Sequence, residues 1–399
     1  MNRSERMRNV TYDIRGPIAA EAGRMEAQGI SIIKLNTGNP AAFGFVPPPD
    51  FPDILRAQQQ LNAAYSDSKG LLRAREAIAA YETSVGVPNV DAERVFTGNG
   101  VSELISLSMQ ALLNEGDEVL IPSPDYPLWT AAVRLYAGKA VHYICDEEAE
   151  WTPDLAAMRK LITGRTKAIV VINPNNPTGA VYPRAILQGI CDIAREHKLL
   201  LLSDEIYDRV LMDKEVHTPL ASLAPDLPVI TYNGLSKSHQ LCGYRCGWMA
   251  VTGRQADLDD YLEGLTVLAS MRLCSNVPAQ SVIPAALADP HYAKQYLAPG
   301  GRLHRQREIA VEGINAINGL SAVKPKAAMY MFPKMNLKHI HDDEKFVLDF
   351  LREKHVLLTH GRGYHWAAPD HFRLVYLPEP NVIADVMTRL GDFLDGYKQ

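Results

Sequence analysis

AIVVINPNNPTGAVYPRAILQGICDIAREHKLLLLSDEIY, residues 168–207, carries the pattern that decides the fold. It opens on a wholly apolar run at 168–172 and closes that run with stacked turn formers. From 183 to 197 it reads as a helix: Pro183 stands at its start, Ile186, Ile190, Ile193 and Ala194 share one face, and its end is basic. A second apolar run follows at 199–202. Runs without polar alternation fit strands covered on both faces. Strand, helix, strand of this kind predicts an α/β fold built on a mainly parallel sheet.

Working outward, 119–121 and 229–232 repeat the apolar run. The first forty-odd residues differ, with an amphipathic stretch at 18–27, the turn-rich Gly38-Asn39-Pro40 and then Pro47-Pro48-Pro49, and they read as a crossing segment. Past residue 290 a long helix over 302–317 leads to strands at 328–332 and 372–376, an α+β pattern. At 399 residues the chain is too long for one ordinary core. The expected division is a large unit over 46–290 and a smaller one made of 1–45 with 291–399.

Charged residues make up 22% of the chain, hydrophobic ones 47%, and the net charge is −5. This balance excludes disorder and an electrostatic nucleic-acid binder, so the expected ligand is small. No apolar run is long enough for a membrane span, and residues 1–8 are polar, which makes cytoplasm the default compartment. Cys145, Cys191, Cys242, Cys246 and Cys274 are scattered, with no Cys-x-x-Cys and no histidine pair at zinc spacing. They read as reduced thiols, Cys242 and Cys246 as small packing residues, and no metal site is expected.

Five segments carry chemistry. Asn233-Gly234-Leu235-Ser236-Lys237 follows an apolar strand, and Gly243-Tyr244-Arg245-Cys246-Gly247 comes soon after. A lone lysine is ordinarily a solvated surface charge, but one at a strand end, near an arginine in a Gly-rich turn, fits a carbonyl-reactive amine. Burial and neighbouring cations are expected to depress its pKa, while the arginine clamps a phosphate dianion. Ser203-Asp204-Glu205-Ile206-Tyr207 ends another strand, where ligands sit in open α/β sheets. Asp204 is either a turn carboxylate or the partner of a protonated ring nitrogen, and Tyr207 follows it as a hydroxyl donor. In Thr97-Gly98-Asn99-Gly100-Val101-Ser102-Glu103, a Gly-rich turn opens a helix whose amides suit a phosphate, or which is simply a helix start; it is neither a Walker loop nor Gly-x-Gly-x-x-Gly. Asn176 in a Pro-fixed loop and Tyr126 in Pro124-Asp125-Tyr126-Pro127 offer an amide and a flat aromatic face, against plain loop and core readings.

These pieces, in this order and nearly end to end, resemble the class I and II aminotransferases of fold type I. The motifs Tyr12-Asp13-Ile14-Arg15-Gly16-Pro17, Gly38-Asn39-Pro40, Asp125-Tyr126-Pro127-Leu128-Trp129 and Met271-Arg272-Leu273-Cys274 look like the bacterial glutamate–pyruvate (alanine) members. The resemblance implies a mixed, mainly parallel seven-stranded sheet and pyridoxal 5'-phosphate as cofactor. It implies Lys237 as covalent anchor and acid/base, with Asp204 and Tyr207 on the ring. Gly100, Val101, Ser102, Ser236 and Arg245 would hold the phosphate, and Tyr126 and Asn176 would lie against the ring. It further implies a homodimer in which Tyr65 reaches the partner's site, and a substrate pocket made by Tyr12, Gly38, Asn176, Tyr330 and Arg373, the last taking the substrate carboxylate.

The sequence departs from that pattern at Gly234, where aspartate aminotransferases carry a phosphate-binding serine, and at Gln240 and Cys246. Arg272 stands one place out of register with the second carboxylate-binding arginine of those enzymes, which weakens a dicarboxylate preference. The expected activity is ping-pong transamination between an L-amino acid, alanine with glutamate as the other donor, and a 2-oxo acid. The alternatives are an aspartate or aromatic aminotransferase, or a β-lyase of the same fold.

Overall fold

The computed structural model describes residues 1–12 and 16–399, so Asp13, Ile14 and Arg15 of the 12–17 motif lie outside it. An eight-stranded mixed sheet forms its centre, made of β1 (Val95–Asn99), β2 (Glu118–Ser123), β3 (Lys139–Asp146), β4 (Thr152–Pro153), β5 (Thr166–Ile172), β6 (Leu200–Asp204), β7 (Val229–Gly234) and β8 (Cys246–Thr252). Their order across the sheet is β1-β8-β7-β6-β5-β2-β3-β4. The four pairings β2–β3, β2–β5, β5–β6 and β6–β7 are parallel. The strand count corrects the expected seven. The extra member, β4, is a two-residue edge strand antiparallel to β3, too short to leave a hydrophobic signature.

Alternation along each strand sends side chains to two cores. Ile169, Val171 and Leu201 face one side, where Leu187, Ile190 and Ile193 of the helix Arg184–His197 cover them. Ala168, Val170, Ile172, Leu200 and Leu202 face the other, under helices α1 (Val101–Leu112) and α2 (Leu128–Leu135). Each large apolar side chain buried this way stabilises by ~1.5–3 kcal/mol. Double coverage is why these strands read as unbroken apolar runs.

The chain ends meet in a separate core that joins Ile18, Ala22, Met25, Leu35 and Phe45 to residues between Ala293 and Phe393. Ile33–Lys34 pairs in parallel with Val356–Leu357, and Phe372–Val375 lies antiparallel to both Tyr330–Met331 and Thr359–His360. The early crossing segment is thereby tied to the C-terminal α+β part. No helix among the described residues is long and apolar enough to cross a membrane.

Candidate active site

Strand β8 runs antiparallel to both β7 and β1, so β1 ends on the same edge as the parallel strands. On that edge β1 leads to Gly100 and α1, β2 to Tyr126, β5 to Asn176, β6 to Asp204 and Tyr207, and β7 to Ser236 and Lys237. They surround a cavity of about 920 Å³, whose lining Tyr12, Gly38, Tyr330 and Arg373 complete. Val101, Ser102 and Arg245 also line it. Of the residues singled out in the sequence, Gly100 stands just behind the lining and Tyr65 stands apart, 81% exposed.

One end is built for an anion. Gly100 has φ 80° and caps α1 without a side-chain bond to the first amides. A Cβ there would lie 2.3 Å from Arg245 Nη2, so the guanidinium rests directly on the turn. Arg245, itself left-handed at φ 54°, donates to the carbonyls of Asn99 at 3.3 Å and Cys242 at 3.2 Å. Helix amides and a guanidinium converging on one point suit a phosphate. The absence of a serine at 234 has a steric cause, since a Cβ at Gly234 would meet the Cys246 carbonyl oxygen at 2.6 Å.

In mid-cavity Asp204 is 3% exposed; its Oδ2 accepts from Trp129 Nε1 at 3.1 Å and its Oδ1 from the Ile206 amide at 3.4 Å. Burial pushes its pKa up to about 6, against the hydrogen bonds from Trp129 and the Ile206 amide that favour the charged form. A cation facing this carboxylate is what its burial lacks.

Lys237 Nζ donates to the Gly38 carbonyl at 2.5 Å and to Cys242 Sγ at 3.6 Å. The expectation of a depressed lysine pKa is corrected. Burial does push it down, but Tyr330 and Cys242 beside the amine outweigh that, and the net shift is upward. Cys242 is likewise more than packing, because it lines the cavity and its sulfur accepts from Lys237 Nζ.

At the far end Arg373 is 2% exposed. Its guanidinium lies 4.5 Å from the Tyr330 ring and 4.7 Å from that of Tyr364. It donates to Asn176 Oδ1 at 3.1 Å and to the Asn36 carbonyl, while its buried Nε has no partner among the described residues. Tyr207 donates to Tyr330 Oη at 2.7 Å, and that oxygen lies 2.1 Å from where a Cβ on Gly38 would stand, which is why the position must be glycine. Tyr12 and Tyr126 share a hydroxyl contact of 3.0 Å.

A family model described as aminotransferase class I and II matches residues 30–390. The chain belongs to this family. It is 52% identical to the glutamate-pyruvate aminotransferase AlaA of Haemophilus influenzae, over 100% of this chain and 99% of that one. It is 51% identical to an alanine aminotransferase of Mycobacterium tuberculosis, over 99% and 93% of the two chains. Among solved structures, an aminotransferase from Escherichia coli superposes with a TM-score of 0.98 at 51% identity, covering 100% of this chain and 99% of that one. The alanine aminotransferase from Pyrococcus furiosus gives 0.94 at 38%, covering 99% and 100%.

Two features of this aminotransferase escaped the sequence reading. Trp129 was noted only within a motif, and its bond to Asp204 depends on the indole reaching from α2 to the end of β6, which no local pattern signals. Arg272, left open as a dicarboxylate ligand, donates to Glu103 at 2.6 Å and to the Ser68 carbonyl at 2.8 Å, and it does not line the cavity.

Proposed function

We propose that the chain is a pyridoxal 5'-phosphate-dependent alanine transaminase, with glutamate and 2-oxoglutarate as the other pair, working in the cytoplasm as a homodimer. The observation that carries it is one cavity holding a lysine amine, a buried carboxylate, an anion-binding helix start and a buried arginine. The cofactor, when bound, supplies an aldehyde for covalent capture of amines and a ring that withdraws electrons from the bond being broken.

The chain's residues fit that group. Arg245, Ser236 and the Val101 and Ser102 amides suit its phosphate, and Tyr126 suits a ring face. Asp204, uncomfortable as an isolated buried anion, gains a cationic ring nitrogen as its partner. Trp129 fixes the orientation of that carboxylate. Tyr207 and Asn176 are positioned for the ring oxygen, although the Asn176 oxygen also steadies Arg373. Lys237 Nζ carries the proton moved at the substrate α-carbon, with Gly38 and Cys242 as its resting acceptors. Arg373, held beside the rings of Tyr330 and Tyr364, binds and orients the substrate carboxylate.

The engagement of Arg272 with Glu103 disfavours dicarboxylate selection by that residue and supports alanine as one partner, as do the names of the relatives. The exposed Tyr65 supports a site completed by a second copy. The core joining residues 18–45 to 293–393 supports a division into 46–290 and 1–45 with 291–399, although Tyr207, Val210 and Met212 enter that core and Phe332 and Tyr364 enter a core of the sheet.

Lys237→Ala tests the reading. Loss of the near-visible absorbance and of alanine–2-oxoglutarate transamination is expected, and normal turnover by the variant would refute it. A panel of amino donors with and without oxo acid separates the alternatives, because a β-lyase needs no acceptor.

A further inference from the structure

Asp125, His142 and His365 form a cluster beside the cavity that transamination does not use. Asp125 follows β2 and is fully buried, His142 lies on β3 opposite Ile121, and His365 ends the short helix Gly361–Tyr364. His365 Nδ1 is 2.8 Å from Asp125 Oδ1, and His142 Nε2 is 3.7 Å from Oδ2. The two imidazoles stack at 4.9 Å with an interplanar angle of 18°. One nitrogen from each ring and a carboxylate oxygen lie within 4.8 Å of one another.

We propose that these three residues form a binding site for a divalent first-row metal ion with zinc's ligand preference. Two imidazoles and one carboxylate are a donor set that suits Zn²⁺. A tetrahedral ion with ligands at about 2.1 Å needs its donors about 3.4 Å apart; one donor atom from each of the three residues already lies within 4.8 Å of the other two, so small side-chain rotations bring them to that spacing. An outer partner is in place as well. Thr130 Oγ1 donates to Asp125 Oδ2 at 2.6 Å and so orients the carboxylate; with its one proton spent there it accepts from His142 Nε2 at 2.9 Å, a bond that an ion on that nitrogen would replace. The histidine side chains keep 21% and 16% of their surface exposed, which leaves an entry and a solvent-facing fourth position. Zinc spacing in the sequence gave no sign of this, because Asp125 and His365 stand 240 residues apart.

The rival reading is that the imidazoles only compensate a buried carboxylate. Cobalt titration of the chelator-stripped, dialysed holoenzyme separates the two. One Co²⁺ per chain is expected, with visible ligand-field bands and paramagnetically shifted signals from two histidines, displaced by Zn²⁺. His142→Gln and His365→Gln should each weaken Zn²⁺ binding by more than ~100-fold and Thr130→Val by ~10-fold, the range set by loss of an outer partner. Wild-type protein that takes up no stoichiometric ion, or folded histidine variants that bind as wild type does, would overturn the site. If a variant fails to fold, the wild-type cobalt spectrum decides, since absence of two histidine signals removes the proposal.

Discussion

Arg373 illustrates what a single residue can and cannot announce. In the sequence it is an arginine between Phe372 and Leu374, and only the resemblance gave it a role; in the structure burial beside two tyrosine rings makes it a fixed cationic fork. A lysine keeps the charge but loses the planar pair of donors. Arg373→Lys is therefore expected to cost ~1.5–3 kcal/mol of carboxylate binding. Steady-state kinetics should register this as KM raised ~10–100-fold for both the amino acid and the oxo acid, and an effect on only one of them would contradict a shared carboxylate site. Lys237, Asp204 and Arg245 were legible because each sits beside a strand end or a Gly-rich turn. The direction of the Lys237 shift was not, because it depends on Tyr330 and Cys242, which only the fold brings to the amine.

At the scale of elements, the start of α1 is the most demanding geometry in the site. Gly100 combines a positive φ and extended ψ, open essentially to glycine alone, with a guanidinium at Cβ distance, so Gly100→Ala meets both backbone strain of ~1–3 kcal/mol and displacement of Arg245. The variant should lose pyridoxal phosphate on dialysis faster than wild type, followed by absorbance, while its thermal unfolding without cofactor falls only slightly. Retention equal to wild type would mean that the turn is only a helix start. Central strands such as β5 and β6 were readable since both faces are apolar. The β3 strand was not, because it lies next to the sheet edge with Lys139, Ile144 and Asp146 exposed, and β8 was hidden by its glycine and cysteine. The helix Arg184–His197 matched its prediction, except that Leu187 and Cys191 are buried where Ile186 is only half-covered.

Across the whole molecule, a buried polar network behind the sheet links distant elements to the loop that carries Lys237. Arg209 donates to Asn233 Oδ1 at 2.9 Å and to the Gly234 carbonyl at 3.0 Å, and its guanidinium faces the rings of Tyr81 and Trp248. Asp208 accepts from Tyr81 and Asn233, and Glu82 accepts from Trp248 Nε1 at 3.2 Å. Burial, with Glu205 and Asp208 adding to it, pushes the Glu82 pKa from a usual 4.5 up to about 8. Between those values the folded chain keeps a proton that the unfolded chain releases, so this group makes stability fall as pH rises, by about 1.4 kcal/mol for each pH unit. Glu82→Gln keeps the acceptor oxygen for Trp248 and removes the titration. Urea unfolding of the cofactor-loaded variant and wild type should give similar stabilities near ~pH 4.5, and the variant should gain steadily over wild type up to ~pH 8, after which the gap stays constant. A gap independent of pH would place the Glu82 carboxyl in water and sever this link between the helix Leu72–Ser84 and the loop of the site.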